Sequence, residues 1–199
     1  MARTQAADYD QRREAIVDRA ASLFASSGFR GTSVSDLAKA CETSKSLLYH
    51  YYPSKEDVLY AVMSSHIDQL LEDVEEVMAR DGSPAELLHA LIHSFMAHYV
   101  GAADRQKVLL NELDSLPADR RAEIVGKQRT VIDAVQGLLV GIDARLSDPA
   151  QARVQTMLLF GMINWTHTWF DPAGPVSAAV VADLALDHFL PGGVKPQAS

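Results

Sequence analysis

Apolar residues recur at helical spacing along nearly the whole chain, and this periodicity limits the possible folds more than any other feature. In the first such stripe, the i, i+4, i+7 and i+8 positions are Ile16, Ala20, Leu23 and Phe24. No alternating pattern of useful length predicts a strand, and the sequence contains no internal repeat or low-complexity tract. We therefore expect an all-α protein.

Capping residues, glycines and prolines divide this periodic pattern into helices. Ser33 with Asp36 has the spacing of a capping box, and the same spacing recurs at Ser54 with Asp57. Gly28 follows the first stripe, where the end of a helix favours a residue with positive φ. The predicted helices cover about residues 10–27, 33–41, 44–52, 54–80, 84–100, 104–113, 118–146, 149–170 and 177–190.

The composition is that of an ordinary globular protein, because 199 residues with 48% hydrophobic content can bury a substantial core. The one cysteine, Cys41, cannot form an intramolecular disulfide, and the start MARTQAADYD lacks the apolar stretch of a signal peptide. The longest apolar run, residues 157–163, is far shorter than the roughly 20 residues that span a bilayer. We expect a cytoplasmic protein with no membrane role.

Charge is distributed unevenly along the chain. The net charge of −8 argues against nucleic-acid binding by the chain as a whole, because phosphate contacts require local positive charge. The first 60 residues, however, contain eight basic and eight acidic side chains, so the remainder carries the whole deficit. This asymmetry indicates two functional parts, of which only the first can approach a polyanion.

The segment SKSLLYHYY, residues 44–52, has two different faces when it is placed on a helix. Leu48, Tyr51 and Tyr52 fall on one face, which we expect to dock against the two preceding helices. The opposite face offers groups that hydrogen-bond phosphates and base edges, namely Lys45, Ser46, Tyr49 and His50. Two short helices joined by a tight turn, the second with such a face, indicate a helix-turn-helix whose recognition helix enters the major groove.

Residues 13–59 resemble the DNA-binding domain of the TetR family of transcriptional regulators. The resemblance rests on the run LF…GF…TS from Leu23 to Ser33 and on the segments LAKA, SK…LYHYY and SKEDVL. It implies a homodimeric transcriptional repressor that binds double-stranded DNA operators. The three-helix DNA-binding domain would cover residues 1–54, and a larger helical domain for ligand binding and dimerisation would cover residues 55–199.

Positions in this motif imply specific DNA contacts. Thr32 or Ser33, together with Tyr49, His50 and Lys55, would contact phosphate, whereas Lys45 and Ser46 are placed for base edges. The predicted DNA-binding set is Thr32, Ser33, Ser44, Lys45, Ser46, Tyr49, His50 and Lys55.

The sequence departs from the family pattern at the turn and in the recognition helix. Glu42 stands where the family usually has glycine, and a non-glycine residue there costs roughly 1 kcal/mol if φ is positive. Ser46 and Leu47 replace the commoner glycine and threonine. These differences bear on the operator sequence and leave the expected fold unchanged.

The last two predicted helices are apolar around nearly their whole circumference. This holds from Val154 to Trp165 and again in AAVVADLALDHFL, where Asp183 and Asp187 are the exceptions. A helix of this kind must be covered on both sides. We expect a homodimer in which these helices form a four-helix bundle; a single well-covered core helix is the alternative.

Aromatic, methionine and polar positions in the second part are candidates for a ligand pocket, with ordinary core packing as the alternative for each. They are His93, Met96, Asn111, Met157, Phe160, Asn164, Trp165 and Thr168. The run LFGMINWTHTWFDPAGPVS is similar to the end of TetR-family regulators of fatty-acid, phenylacetate and sterol-ring catabolism. That resemblance implies a CoA thioester as the inducer. A drug-sensing repressor of an efflux pump is the alternative.

A metal-dependent all-α enzyme is the alternative of a different class. His89 and His93 lie at i and i+4, with His98 nearby, but the glutamate of an HExxH motif is missing. The sequence has no glycine-rich phosphate loop, and its cysteine lies in the DNA-binding part. Histidines at this helical spacing are usually core or surface residues, so we expect no metal site, no cofactor and no catalysis.

Overall fold

The computed structural model describes residues 2–190, with side chains from Tyr9 onward. Over this range the chain forms nine α-helices and no strand, which confirms the predicted all-α class. The helices are α1 (Ala2–Ser27), α2 (Val34–Ala40), α3 (Lys45–Tyr51), α4 (Lys55–Met78), α5 (Pro84–Gly101), α6 (Ala103–Asn111), α7 (Ala118–Ile142), α8 (Pro149–Asn164) and α9 (Ala178–Leu186).

Some helix ends differ from the prediction for local reasons. The first helix begins at Ala2 instead of Asp10, because the preceding residues include good helix formers and no glycine or proline. Helix α7 ends at Ile142 instead of Leu146. The carboxylate of Asp143 accepts from the backbone N–H of Arg145 at 2.9 Å, and this contact starts a separate 3₁₀ turn.

The predicted helix over residues 149–170 is an α-helix followed by a 3₁₀ turn, Trp165–Thr168. The hydroxyl of Thr166 donates to the carbonyl of Ile163 at 2.5 Å, and that of Thr168 donates to the carbonyl of Trp165 at 2.8 Å. Both bonds reach back three residues, which suits the tighter 3₁₀ geometry. Helix α9 also ends early, at Leu186 instead of Leu190.

The capping contacts predicted at the starts of α2 and α4 are confirmed. Ser33 and Asp36 form a complete capping box at α2, in which hydrogen bonds from Ser33 lower the pKa of the Asp36 carboxyl. The hydroxyl of Ser54 accepts from the backbone N–H of Asp57 at 3.0 Å. Gly28, directly after α1, has a φ of 73°, as expected for a residue that ends a helix in the left-handed region.

Contacts within the chain define two compact units. The first contains residues up to Ile67 together with Asp104–Val125, and the second contains Asp68–Ala103 together with the residues from Gly126 on. This grouping does not follow the predicted division at residue 54, because α6 and the start of α7 pack with the helix-turn-helix. The division at 54 stays a functional prediction.

Each unit has its own apolar core. The largest fully buried side chains of the first unit are Phe24, Leu37, Leu48, Leu59, Met63, Ile67 and Ile124. Those of the second unit lie on α5 and are Leu88, Leu91, Ile92, Phe95 and Met96. Helix α9 packs on α5 and buries Ala182, Ala185 and Leu186. Within the described residues, no helix has the length and hydropathy needed to cross a membrane.

Candidate nucleic-acid interface and ligand-binding region

The turn between α2 and α3 has positive φ at Glu42, the position where the family usually has glycine. Glu42 has a φ of 53°, and it is the only residue other than glycine with positive φ in the described range. The backbone N–H of Thr43 donates to the carbonyl of Ala38 at 2.9 Å, which closes the turn. Arg19 contacts both the carbonyl of Ala40 and the carboxylate of Glu42 at 3.1 Å. The strained turn is therefore held from α1.

One face of α3 is packed against the rest of the domain, as predicted. Leu48 and Tyr52 are buried, and Tyr51 is half-buried with its ring 4.8 Å from that of Tyr9. The hydroxyl of Tyr52 donates to the carbonyl of Arg13 at 3.4 Å, and burial raises the pKa of this phenol. These contacts fix the rotation of α3 about its axis, so the direction of its other face is also fixed.

The opposite face of α3 is exposed. It presents an ammonium, a hydroxyl, a phenol and an imidazole, from Lys45, Ser46, Tyr49 and His50. Tyr49 is 46% exposed, although tyrosine is an amphipathic residue that usually buries most of its ring. Exposed donors on a short helix whose other side is fixed are the arrangement that a recognition helix requires.

The other predicted DNA-binding residues have partners within the first unit. Thr32 is only 2% exposed and donates to the carbonyl of Gly28 at 2.8 Å. The hydroxyls of Ser33 and Ser44 accept from backbone N–H groups at the starts of α2 and α3. Their observed role is to order the backbone, and a contact of these side chains with phosphate stays a prediction.

Lys55, at the start of α4, is also engaged. Its ammonium donates to the carbonyls of Phe29 and Thr32, both at 2.8 Å, and lies 4.0 Å from the centre of the Phe29 ring. An ammonium has three donors, so these two bonds leave one for any other acceptor. In the structure Lys55 holds the loop before α2 to α4, and its predicted phosphate contact is likewise untested.

Polar contacts that sequence reasoning missed connect α6 and the residue after it to α1 and the loop after α1, all within the first unit. The guanidinium of Arg105 donates to the carboxylates of Glu14 and of Asp18, the latter at 2.7 Å. At the other end of α6, the carboxylate of Glu112 accepts from the backbone N–H of Phe29 at 3.1 Å. The partners are more than 80 residues apart in sequence, so no local pattern could have indicated these pairs.

The predicted ligand-binding residues do not form one group. Met96 and Phe160 are buried in the core of the second unit, and His93 and Asn164 are half-buried there. Met157, Trp165 and Thr168 are exposed, Trp165 to 64%. Asn111 belongs to the first unit, where its amide donates to the carbonyl of Lys107 at 2.8 Å. Although Met157 and Phe160 are only three residues apart on α8, Met157 is 49% exposed and Phe160 is 6% exposed.

Helices α8 and α9 each bury one side and expose an apolar face on the other, which we call the α8–α9 face. The side chains on this face are large, apolar and exposed. On the other side of the same helices, the equally apolar Leu159, Ile163 and Leu186 are buried. The exposed members on α8 and the following 3₁₀ turn are Val154, Met157, Leu158, Met162 and Trp165, and those on α9 are Val180 and Leu184. Contiguous exposure of this kind marks an interaction surface.

Comparison with known proteins agrees with this architecture. Residues 16–62 match the family model described as bacterial regulatory proteins, tetR family, and residues 81–192 match that of the tetracyclin repressor-like C-terminal domain. A crystal structure of a TetR-family transcriptional regulator from Bordetella parapertussis 12822 is 39% identical, with a TM-score of 0.87. The match covers 94% of this chain and 97% of that one.

Two further relatives have more specific descriptions. The crystal structure of AibR in complex with isovaleryl coenzyme A and operator DNA is 27% identical with a TM-score of 0.79, over 90% of this chain and 98% of that one. The HTH-type transcriptional repressor KstR2 of Rhodococcus jostii (strain RHA1) is 26% identical, over 93% of this chain and 92% of its own. The helix-turn-helix geometry, the two family models and the structural match over 94% of the chain all agree. The chain belongs to the TetR family of transcriptional regulators.

Proposed function

We propose that the protein is a ligand-responsive transcriptional repressor without catalytic activity. It binds a pseudopalindromic operator as a homodimer and is released by a small-molecule inducer, an acyl-CoA thioester. The observation that carries the proposal is the orientation of α3, which buries Leu48 and Tyr52 and exposes Lys45, Ser46, Tyr49 and His50. A regulator of chromosomal operators acts in the cytoplasm.

The exposed residues of α3 make two kinds of contact with DNA in this proposal, with base edges and with phosphates. Lys45 and Ser46 lie in the first turn, the part of a recognition helix that reaches base edges. Tyr49 and His50 lie one turn later and donate to phosphate oxygens, which positions the helix without reading sequence.

The homodimer is supported by the α8–α9 face. Such a face is unfavourable in water, and a two-fold axis through it lets identical apolar residues of two chains cover one another. Two helices from each chain then form a four-helix bundle. Dimerisation also supplies two recognition helices, which must reach successive major grooves about 34–36 Å apart.

The choice of inducer is supported by two likenesses. AibR, whose structure has the same fold, was crystallised with isovaleryl coenzyme A and operator DNA. The segment that includes Asn164 and Trp165 resembles the corresponding part of regulators that respond to CoA thioesters. Phe95, Met96 and Phe160 are buried in the core of the second unit, and an acyl chain that displaced part of this core would contact their apolar surface. The same surface suits an uncharged hydrophobic drug, which keeps a drug-sensing repressor of an efflux pump as the second candidate.

Release requires that the inducer favour a geometry in which the two DNA-binding domains no longer fit both half-sites. Two chain connections can transmit such a change. Helix α4 begins at Lys55 beside the loop before α2 and continues into the second unit. Helix α6 follows α5 after a single residue, and its Arg105 donates to Asp18 of α1. Glu112, directly after α6, accepts from the backbone N–H of Phe29 in the loop after α1. In this proposal the inducer acts on the second unit, and the change reaches the DNA-binding helices along these two chain connections.

The operator is tested first, by titrating the untagged dimer onto the DNA upstream of its own gene and onto a scrambled duplex at equal salt. We expect preference for the upstream DNA. The variant Lys45→Ala should lose about 1–3 kcal/mol of operator affinity, the value of a good base contact. The matched control Lys107→Ala changes an exposed lysine of α6 and should bind normally. Equal affinity for the two duplexes would contradict the repressor assignment.

The inducer is tested on the preformed operator complex with a panel of acyl-CoA thioesters, free CoA, the free acids and hydrophobic drugs. One thioester should lower operator affinity about 5- to 150-fold, the usual range of allosteric coupling. Free CoA and the free acid should have little effect. Release by a drug and by none of the thioesters would replace the first candidate inducer with the second.

A further inference from the structure

Two histidines of α5 and one aspartate of α9 converge within the second unit. The Nε2 atom of His93 lies 2.7 Å from Oδ1 of Asp183, and the Nε2 atom of His89 lies 3.2 Å from the same oxygen. The two imidazole rings are stacked with their centres 4.1 Å apart. All three side chains are partly exposed, so the cluster can be reached from solvent.

The positions of these atoms follow from the two helices. His89 and His93 are one turn apart on α5 and therefore project from the same face. Helix α9 packs across that face, and Asp183 lies at the edge of its buried side, between Ala182 and the exposed Leu184. An aspartate in an otherwise apolar helix indicates that its carboxylate has a polar partner. The sequence does not show which residue that partner is.

The cluster differs from a simple histidine–carboxylate pair, and another histidine of α5 forms such a pair. His98, further along the same helix, contacts Asp73 of α4 with its Nε2 at 3.0 Å from Oδ2. That arrangement has one imidazole for one carboxylate. At Asp183, two imidazole nitrogens point at a single carboxylate oxygen, and the candidate ligand atoms all lie within 4.8 Å of one another.

This spacing suits coordination to a metal ion. A tetrahedral zinc ion with bonds of about 2.1 Å holds its ligand atoms about 3.4 Å apart, so small side-chain rotations bring all three donors into range. Two imidazoles and one carboxylate are a common ligand set for zinc and for other divalent transition metals, whereas Mg²⁺ prefers oxygen ligands. Both histidines would coordinate through Nε2, the atom that already faces the carboxylate.

We propose that His89, His93 and Asp183 form a binding site for one divalent transition-metal ion per chain, of which Zn²⁺ is the representative. The ion replaces the direct histidine–aspartate contacts and links α9 to α5. Its fourth position remains open to water or to a donor atom of another molecule. This proposal revises the sequence-based expectation of no metal site, because the third ligand comes from a residue 90 positions away from His93. It does not depend on the proposed operator or inducer.

The test uses the full-length dimer without an affinity tag, stripped of metal by a chelator and titrated with Zn²⁺ in a calorimeter. We expect one Zn²⁺ per chain and no binding of Mg²⁺. The variants His93→Gln and Asp183→Asn should each lower zinc affinity by at least about 100-fold, since loss of an outer-shell partner alone costs about 10- to 100-fold. The control His188→Gln, which alters an exposed histidine after α9, should retain full affinity.

A second measurement separates binding from folding. Zinc should raise the Tm of the wild type and of His188→Gln, and it should leave the Tm of the two ligand variants unchanged. The variants change different helices, so if one fails to fold, the other still decides the question. The proposal is overturned if the wild type binds no zinc, or if a folded ligand variant binds it as tightly as the control.

Discussion

At the scale of the residue, Glu42 has the most unusual backbone of the helix-turn-helix. Its φ of 53° lies in the left-handed region, where a Cβ atom crowds the following carbonyl oxygen. The carboxylate contact with Arg19 is largely exposed, with 55% and 77% of the two side chains accessible, so it offsets little of this strain. The backbone bond from the N–H of Thr43 to the carbonyl of Ala38, at 2.9 Å, and the bond from Arg19 to the carbonyl of Ala40 also hold the turn.

Replacing Glu42 should separate the strain from the ion pair. Glu42→Gly and Glu42→Ala both remove the contact with Arg19, but only glycine adopts positive φ without strain. We expect the glycine variant to exceed the alanine variant in free energy of unfolding by about 1 kcal/mol. Urea denaturation followed by circular dichroism measures this difference. Equal stability of the two variants would show that the turn relaxes in solution.

At the scale of the element, the start of α4 is held to the loop before α2 by Lys55. The two carbonyls that its ammonium bonds, those of Phe29 and Thr32, are not part of any helix. Carbonyls in a partly buried loop need a donor, and the lysine donates to both. The carbonyl of Phe29 also accepts from the backbone N–H of Thr32 at 3.2 Å. The same contact orders the segment that leads to Ser33, the first residue of the capping box at α2.

The variant Lys55→Met keeps most of the side-chain length and removes the ammonium. We expect it to lower the free energy of unfolding by about 1–3 kcal/mol, because two carbonyls lose a charged donor. The salt dependence of operator binding should stay unchanged. Thermal denaturation and a salt series of operator titrations measure the two effects. A stable variant whose salt slope falls by about one unit would instead identify Lys55 as a phosphate contact, as the sequence motif predicts.

At the scale of the whole molecule, the proposed homodimer depends on the α8–α9 face. Residues such as Trp165 and Leu184 are more than half exposed in the single chain. Association through a two-fold axis removes this apolar surface from water in both chains at once, which makes the interface sensitive to one substitution. Each change is present twice in the dimer.

Leu184→Lys should convert the dimer to a monomer, because it would bury two ammonium groups in an apolar interface. The matched control is Val140→Lys, which places the same charge at an exposed apolar position of α7 outside the α8–α9 face. Light scattering after size-exclusion chromatography gives the mass of each variant. We expect weaker operator binding only for Leu184→Lys, since a monomer contacts one half-site. A dimeric Leu184→Lys protein would place the interface elsewhere.

Features that depend on neighbouring residues could be predicted from the sequence. Apolar spacing predicted the helices, and the capping pair Ser33 and Asp36 predicted the start of α2, because the interacting groups are within one turn of each other. The two faces of α3 were predicted for the same reason. The family comparison located the strained turn at Glu42, and its positive φ confirms that the position needs a left-handed conformation.

Contacts between distant residues became visible only in the folded chain. The sequence did not reveal that Lys55 would be bonded to loop carbonyls, that α6 would pack with the DNA-binding helices, or that Asp183 would lie against His89 and His93. Nor did it separate exposed Trp165 from buried Phe160, since both belong to a run that is apolar on every side. Such contacts join residues 23 to 94 positions apart and depend on how whole helices pack, which local spacing does not encode.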